Sequence, residues 1–153
     1  MVAMAEHRIS TDIAAPPHLV FALWMDLDRM TEWVGGVTRV TDVSGPIDVP
    51  GTRYIVHFGP MRSPTEILEV DRPHHVRTRF GNLILKGESD VRFEATPDGT
   101  RLTQVFRTRG FISAITGRLF AAGSYEGSFK GELEKFRRIV EREAAAEPSG
   151  AIA

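Results

Sequence analysis

The sequence contains no cysteine among its 153 residues. Disulfide scaffolds, thiolate zinc sites, iron–sulfur clusters and cysteine nucleophiles are therefore excluded. An excess of positive charge is also missing, because 19 basic residues stand against 20 acidic ones and the net charge is -1. Without a positive field we expect neither binding to nucleic acid nor attraction to an anionic membrane.

Long apolar runs and targeting signals are missing as well. No run approaches the roughly 20 apolar residues of a membrane-spanning helix, so we expect no membrane insertion. The opening residues, MVAMAEHRIS, lack the charged start and apolar stretch of a secretory signal, so we expect a cytoplasmic protein. The nucleotide-binding pattern GxGxxG after a strand, the phosphate-binding pattern GxxxxGK and the nucleophile elbow GxSxG are not found.

What remains is the composition of one globular domain, with 42% hydrophobic and 25% charged residues. A chain of this length buries about two-thirds of the surface that its unfolded form exposes, so it needs no disulfide or metal for stability. We predict a single ligand-binding domain over residues 1–142. The remaining segment, EAAAEPSGAIA at residues 143–153, is predicted to be a flexible tail.

The first third of the chain predicts one strand followed by two short helices. Alternation favours a strand at Glu6–Ile13. Pro17 suits the first turn of a helix. A second short helix is predicted over Asp28–Trp33, with Asp28 as its N-cap, before Gly35-Gly36 ends it.

A period-two pattern then continues for about seventy residues and predicts further strands. The connections between them are short and rich in turn formers, so the strands must pair as antiparallel neighbours. Charged residues on one face of the strand that begins at Leu83 indicate that this face is in water and that the other is covered. The predicted strands are Val37–Val43, Thr52–Phe58, Thr65–Asp71, His75–Phe80, Leu83–Ala95 and Arg101–Arg109.

The last segment, from Phe111 to Arg142, predicts a long helix with one apolar stripe. Several glycines each weaken it by about 1 kcal/mol, so a bend near Gly117 or Gly123 remains an alternative. The stripe comprises Ile115, Leu119, Ala122, Glu126, Phe129, Leu133, Phe136 and Val140. The resulting α+β fold is a seven-stranded curved antiparallel sheet wrapped around a long C-terminal helix, with a ligand cavity between them.

Several short strings follow one another along most of the chain. They are Ile13-Ala14-Ala15-Pro16-Pro17 with Val20-Phe21, Asp26 and Glu32-Trp33, then Pro50-Gly51-Thr52, Asp71-Arg72-Pro73 and Asp98-Gly99-Thr100 with Leu102. Their order and spacing resemble the START-like (SRPBCC) superfamily, and specifically its polyketide cyclase/dehydrase family. The resemblance implies the helix-grip fold and a shared cavity without a shared set of catalytic residues. Members of the superfamily include aromatase/cyclases, plant hormone receptors, storage allergens and lipid carriers.

Two residues are candidates for acid–base chemistry. Glu126 lies within the apolar stripe, where burial would raise the pKa of its carboxyl. If the helix breaks at Gly123, Glu126 lies in water instead. Tyr54 shares a strand face with Phe58, and its hydroxyl either donates to a ligand carbonyl or bonds to the backbone as a core tyrosine.

Other residues are assigned to the cavity by strand alternation, by the helical stripe or by the resemblance. Trp33 either lies near the cavity mouth, which the resemblance favours, or packs the short helices on the sheet. Arg118 and Arg137 either cover apolar surface with their stems or bind a ligand anion, and Glu66 points inward or outward depending on strand register. The predicted ligand-binding residues are Trp33, Tyr54, Phe58, Phe80, Leu85, Ser89, Val91, Phe106, Leu119, Ala122, Glu126 and Phe129.

The five histidines show no metal-ligand spacing, so we expect no metal ion and no cofactor. His57 is expected to face solvent, and His7 to face inward. We hypothesise that the protein binds a hydrophobic small molecule such as a lipid, polyketide or aromatic compound. The alternatives are a polyketide cyclase/dehydratase of the aromatase type and a protein-interaction module. The expected oligomeric state is a monomer or a homodimer.

Overall fold

The structure, a computed structural model, describes residues 4–81, 86–109 and 124–147, with the backbone alone at 4–5, 109 and 124–129. In chain order the elements are β1 (Met4–Ile13), α1 (Pro17–Trp24), a 3₁₀ helix (Leu27–Glu32), β2 (Arg39–Thr41), β3 (Arg53–Phe58), β4 (Met61–Asp71), β5 (His75–Gly81), β6 (Lys86–Thr96), β7 (Gly99–Arg109) and α2 (Ser124–Ala146).

The strands form one seven-stranded sheet in the order β1-β7-β6-β5-β4-β3-β2, and each neighbouring pair is antiparallel. Consecutive strands from β2 to β7 pair with each other, as their short connections predicted. β1 is at one end of this order and pairs with β7, so the first strand of the chain lies beside the last one. The predicted α+β class and the seven-stranded antiparallel sheet are confirmed.

Strand β6 shows the predicted alternation. Ser89, Val91 and Phe93 are each at most 8% exposed, whereas Arg92 between them and Glu94 beside them are exposed. The buried set faces α1 and α2, and we call this side of the sheet the inner face. The opposite side, which carries the charged residues, is the outer face.

The apolar stripe of the C-terminal helix is confirmed where side chains are described. Leu133, Phe136 and Val140 are at most 3% exposed, as expected for a helix packed on a sheet. The helix continues to Ala146, four residues past its predicted end at Arg142. Glu143 explains the extension, because its carboxylate accepts a hydrogen bond from Arg29 of the 3₁₀ helix at 2.5 Å. The predicted helix start at Phe111 lies outside the described residues.

Three local boundaries also differ from the prediction. β2 is shorter than Val37–Val43 because Asp42 adopts a positive φ of 57° and turns the chain out of the sheet. β4 begins at Met61 rather than Thr65, since Gly59, at a φ of 63°, lets the chain reverse immediately before it. The 3₁₀ helix follows Asp26, so Asp28 lies in its first turn and is not the N-cap.

Candidate functional site

One end of the inner face is packed solid by aromatic rings. Phe21 and Phe93 meet edge to face with centroids 5.2 Å apart. The ring of Phe136 contacts Trp24 at 5.4 Å and Trp33 at 4.9 Å. Phe21 and Phe136 are 0% exposed and Phe93 is 1% exposed, so this packed end leaves no room for a small molecule.

The other end of the inner face carries uncharged polar side chains. The strand register places Tyr54 opposite Thr65, Thr65 opposite Phe80, Phe80 opposite Gly87, and Gly87 opposite Thr108. Residues directly opposite in antiparallel strands point to the same side of the sheet. These five residues therefore form one row across β3 to β7, which spans about 19 Å at the usual strand spacing.

A second row lies beside the first. It runs from Ile67 through Thr78, Ser89 and Phe106 to His7. Gln104, two residues from Phe106 on the same face, donates a hydrogen bond from Nε2 to Ser89 Oγ at 3.2 Å. We call these two rows, together with Gln104, the polar end.

The polar side chains of this end are buried. Tyr54, Thr65, Ser89, Gln104 and Thr108 are each 7–8% exposed. Buried hydroxyl and amide groups destabilise a protein unless they find hydrogen-bond partners. Such a cluster is unusual in a core built for stability alone and is typical of the wall of a binding site.

Tyr54 is the strongest single candidate of the polar end. Its phenol lies on β3, and burial raises the pKa of the hydroxyl above its usual range. It therefore stays protonated and can donate a hydrogen bond. Within the described residues no hydrogen bond of this hydroxyl is found.

Two phenylalanines complete the apolar part of this wall. Phe80 and Phe106 meet edge to face at 6.2 Å, and both remain partly exposed. The Phe80 ring lies over Gly87, because a Cβ on Gly87 would stand 2.8 Å from Phe80 Cζ. Glycine at this position thus lets the ring lie close to the sheet.

The two rows of the polar end contain no aspartate, glutamate, lysine or arginine. Those residues lie on the outer face, where Arg77 binds Glu69 at 2.8 Å and Glu88 at 3.2 Å. Glu66 belongs to the same face and pairs with Arg79 at 2.9 Å, which decides the register question in favour of the outward position. Within the described part of the chain, the polar end therefore offers hydrogen bonds and, apart from the imidazole of His7, no titratable acid or base other than the Tyr54 phenol.

A separate polar corner joins α2 to the segment after the 3₁₀ helix. Glu132 Oε1 accepts a hydrogen bond from the backbone N–H of Gly35 at 3.0 Å. Burial raises the pKa of the Glu132 carboxyl, although the Gly35 N–H and Lys135 act in the opposite direction. Trp33 is 7% exposed, and its buried Nε1 finds no hydrogen-bond partner within the described residues.

Four of the predicted site residues lie together in the two rows. They are Tyr54, Phe80, Ser89 and Phe106, while Val91 lies between the polar and packed ends. Trp33 packs on Phe136, as in the packing alternative, and Phe58 lies near Gly36. Leu85, Leu119 and Ala122 lie outside the described residues. Glu126 and Phe129 belong to α2, but their side chains lie outside the described part of the chain.

Two expectations about polar residues are corrected or resolved. His57 lies on the outer face but is only 6% exposed, so the prediction that it faces solvent is wrong. Its Nε2 contacts Thr41 Oγ1 at 2.7 Å, and burial together with Arg39 and Arg62 lowers the pKa of the imidazole. Arg137 binds Glu134 and Glu141 of its own helix, which satisfies its charge locally.

Sequence reasoning missed Glu132 and undervalued Gln104. Gln104 could have been included, because alternation places it on the covered face with Phe106. Glu132 lies one helical turn before Phe136, at the edge of the stripe, but its partner Gly35 is 97 residues away in the chain. Among the described residues, no three metal-ligating side chains converge, and no helix has the length and apolar character to cross a bilayer.

The family described as "Polyketide cyclase / dehydrase and lipid transport" matches residues 4–141. The chain belongs to this family. No functionally curated protein is similar enough in sequence to match. The helix-grip fold and the expected family resemblance are thereby confirmed.

Solved structures show the same fold at low sequence identity. Protein SA2116 of Staphylococcus aureus, whose function is unknown, is 13% identical with a TM-score of 0.74, covering 93% of this chain and 96% of that one. The di-domain ARO/CYC StfQ of the steffimycin biosynthetic pathway is 14% identical with a TM-score of 0.71, covering 94% of this chain and 52% of that one. DynU16 of the dynemicin biosynthetic locus is 18% identical with a TM-score of 0.68, covering 91% and 48%.

Proposed function

We propose that the protein binds an uncharged, mainly apolar small molecule that carries hydroxyl or keto oxygens. The observation that supports this function is the polar end of the inner face, with its buried uncharged donors and its partly exposed phenylalanines. Apolar contacts with Phe80 and Phe106 would supply most of the affinity, at about 25 cal/mol per Å² of apolar surface buried. Tyr54, Ser89 and Gln104 would orient the ligand oxygens.

The lack of aspartate, glutamate, lysine and arginine side chains in the two rows favours a neutral ligand. A fatty-acid carboxylate placed there would lose its hydration without gaining a cation, which is strongly unfavourable. A polyketide, an aromatic polyol or a fatty alcohol avoids this cost. The family description includes both cyclase and lipid-transport members, and the proposed ligand chemistry is compatible with either.

A competition experiment tests this proposal. The protein is titrated with the neutral dye Nile red, and the dye is displaced with 1-dodecanol or with dodecanoate, which differ only in the head group. We expect the alcohol to displace the dye at a concentration at least tenfold lower than the carboxylate. Equal potency would contradict the neutral-ligand argument, and no dye binding together with no small molecule in native mass spectra would contradict the proposed function.

A matched pair of variants locates the site. Gln104→Met keeps the side-chain length but removes the amide, so affinity for the alcohol should fall about two- to tenfold, the value of one neutral hydrogen bond. Thr103→Val, on the outer face of the same strand, should leave affinity unchanged. The same affinity for both variants would place the ligand elsewhere.

The second candidate is a polyketide cyclase/dehydratase, favoured by the structural similarity to the ARO/CYC protein StfQ. In this case the wall would fold a poly-β-ketone chain and bring reacting carbons together. The Tyr54 hydroxyl would hydrogen-bond a ketone oxygen, and Glu126 would exchange protons during ring closure and water loss.

Chromatography and mass spectrometry of products from a poly-β-ketone thioester distinguish the candidates. For an enzyme, Glu126→Gln should abolish turnover while leaving ligand affinity near the wild-type value. For a binding protein, no cyclised product forms and the same change alters affinity modestly. The third alternative, a protein-interaction module, instead predicts an oligomer that depends on concentration and no small-molecule binding.

A further inference from the structure

The segment Trp33–Gly36, which we call the lid, follows the 3₁₀ helix and leads toward strand β2. Its first residue packs on Phe136 of α2 with ring centroids 4.9 Å apart. Its last residue lies beside β3, because a Cβ on Gly36 would stand 3.5 Å from Phe58 Cδ1. The lid therefore spans the gap between α2 and the strand that also carries Tyr54.

One side chain of α2 holds the backbone of the lid. Glu132 Oε1 accepts the Gly35 N–H at 3.0 Å, and a Cβ on Gly35 would stand only 3.1 Å from that oxygen. A hydrogen bond to an ionised carboxylate is stronger than one between neutral groups. The absence of a side chain at Gly35 thus allows the close approach on which this contact depends.

The closed lid also contains two features that favour opening. Trp33 Nε1 is buried with no hydrogen-bond partner within the described residues, and a buried donor without a partner destabilises the state that contains it. Gly35 and Gly36 can change backbone conformation easily, and Gly36 already has a φ of 82°.

We propose that Trp33–Gly36 is a movable lid over the inner face, that Glu132 latches it through the Gly35 N–H, and that its opening admits the ligand. This inference rests on the proposed function. Opening frees the Trp33 indole N–H to bond with water or with an oxygen of the entering molecule. Glu132 is a positioning residue in this scheme, because it acts through the lid.

The latch is tested without any ligand by amide hydrogen exchange at Gly35. Glu132→Ala should speed exchange of this amide about tenfold or more, the effect of losing a hydrogen bond to a charged group. Glu132→Gln retains an acceptor and should restore part of the protection. Glu134→Ala is the control, since Glu134 lies on the same helix but binds Arg137 and Arg138. Exchange in Glu132→Ala equal to that in the control would overturn the latch.

The lid is tested by the rate of Nile red association in stopped flow. In Glu132→Ala the association rate should rise several-fold, while the control keeps the wild-type rate. Faster Gly35 exchange with an unchanged association rate would overturn the lid. If the wild-type protein binds no dye, the proposed function fails, and the exchange rate at Gly35 alone decides whether Glu132 is a latch.

Discussion

The division of the inner face into a packed end and a polar end predicts opposite effects of one substitution at two positions. Phe136→Ala removes a ring that is 0% exposed and contacts Trp24 and Trp33. Deleting a fully buried phenylalanine costs about 3–5 kcal/mol of unfolding free energy. Phe80→Ala removes a partly exposed ring, so about 1 kcal/mol of burial and up to about 1 kcal/mol of contact with Phe106 are lost.

Equilibrium unfolding in urea, followed by far-ultraviolet circular dichroism, measures both losses. We expect Phe136→Ala to lose at least about 2 kcal/mol more than Phe80→Ala, with the dependence on urea unchanged. Ligand affinity should show the reverse order. Phe80→Ala should weaken Nile red binding about tenfold, the equivalent of about 1.4 kcal/mol, whereas Phe136→Ala should bind with nearly wild-type affinity under conditions where it is folded.

Two results would refute this reasoning. Equal stability losses would mean that Phe80 is as firmly packed as Phe136 and that no open wall exists at the polar end. A larger loss of affinity in Phe136→Ala than in Phe80→Ala would place the ligand at the packed end.

Three further changes have defined outcomes. Thr100→Val removes the 2.7 Å hydrogen bond from a fully buried hydroxyl to the Ala15 carbonyl, so urea unfolding should show a loss of about 1–3 kcal/mol; a loss within error would contradict this. Glu132→Gln removes a carboxyl whose folded-state pKa is raised above its unfolded value. Wild-type stability should therefore fall as pH rises from the unfolded pKa through the folded one, and the variant should lack this fall. Urea titrations at several pH values measure it, and parallel curves for the two proteins would contradict it. Gly87→Ala places a Cβ 2.6 Å from the Arg107 carbonyl oxygen and 2.8 Å from Phe80 Cζ. The β6–β7 pairing and the ring must therefore both shift, and both stability in urea and Nile red affinity should fall; an unchanged affinity in a fluorescence titration would contradict this.

Local patterns were sufficient to predict the sheet and the helix that covers it. The alternation of Ser89, Val91 and Phe93 with charged neighbours defined the covered side of β6, and Leu133 and Phe136 defined the buried side of α2. Both patterns depend on the geometry of one element, and burial of one face then determines the strand register. The antiparallel order followed from the short connections.

Contacts between distant parts of the chain could not be predicted in the same way. The bond between Glu132 and Gly35 depends on how a loop meets a helix. His57 lies on the outer face, as the alternation predicts, and yet it is buried there. Its contact with Thr41 of β2 joins two strands, so it has no signal in the sequence of β3 alone. The positive φ of Asp42, which shortens β2, has no signal in hydrophobic periodicity.

The aromatic cluster of Phe21, Phe93 and Phe136 has a consequence for how the sequence can evolve. Because this cluster secures the fold at one end, the other end can accept changes that leave no buried polar group without a partner. Joint replacement of Ser89 and Gln104 by apolar residues removes both members of one hydrogen bond, so it should cost the fold little. If the proposed function holds, the part that keeps the protein folded is separate from the part that selects the ligand, and the fold is then a suitable starting point for engineered receptors.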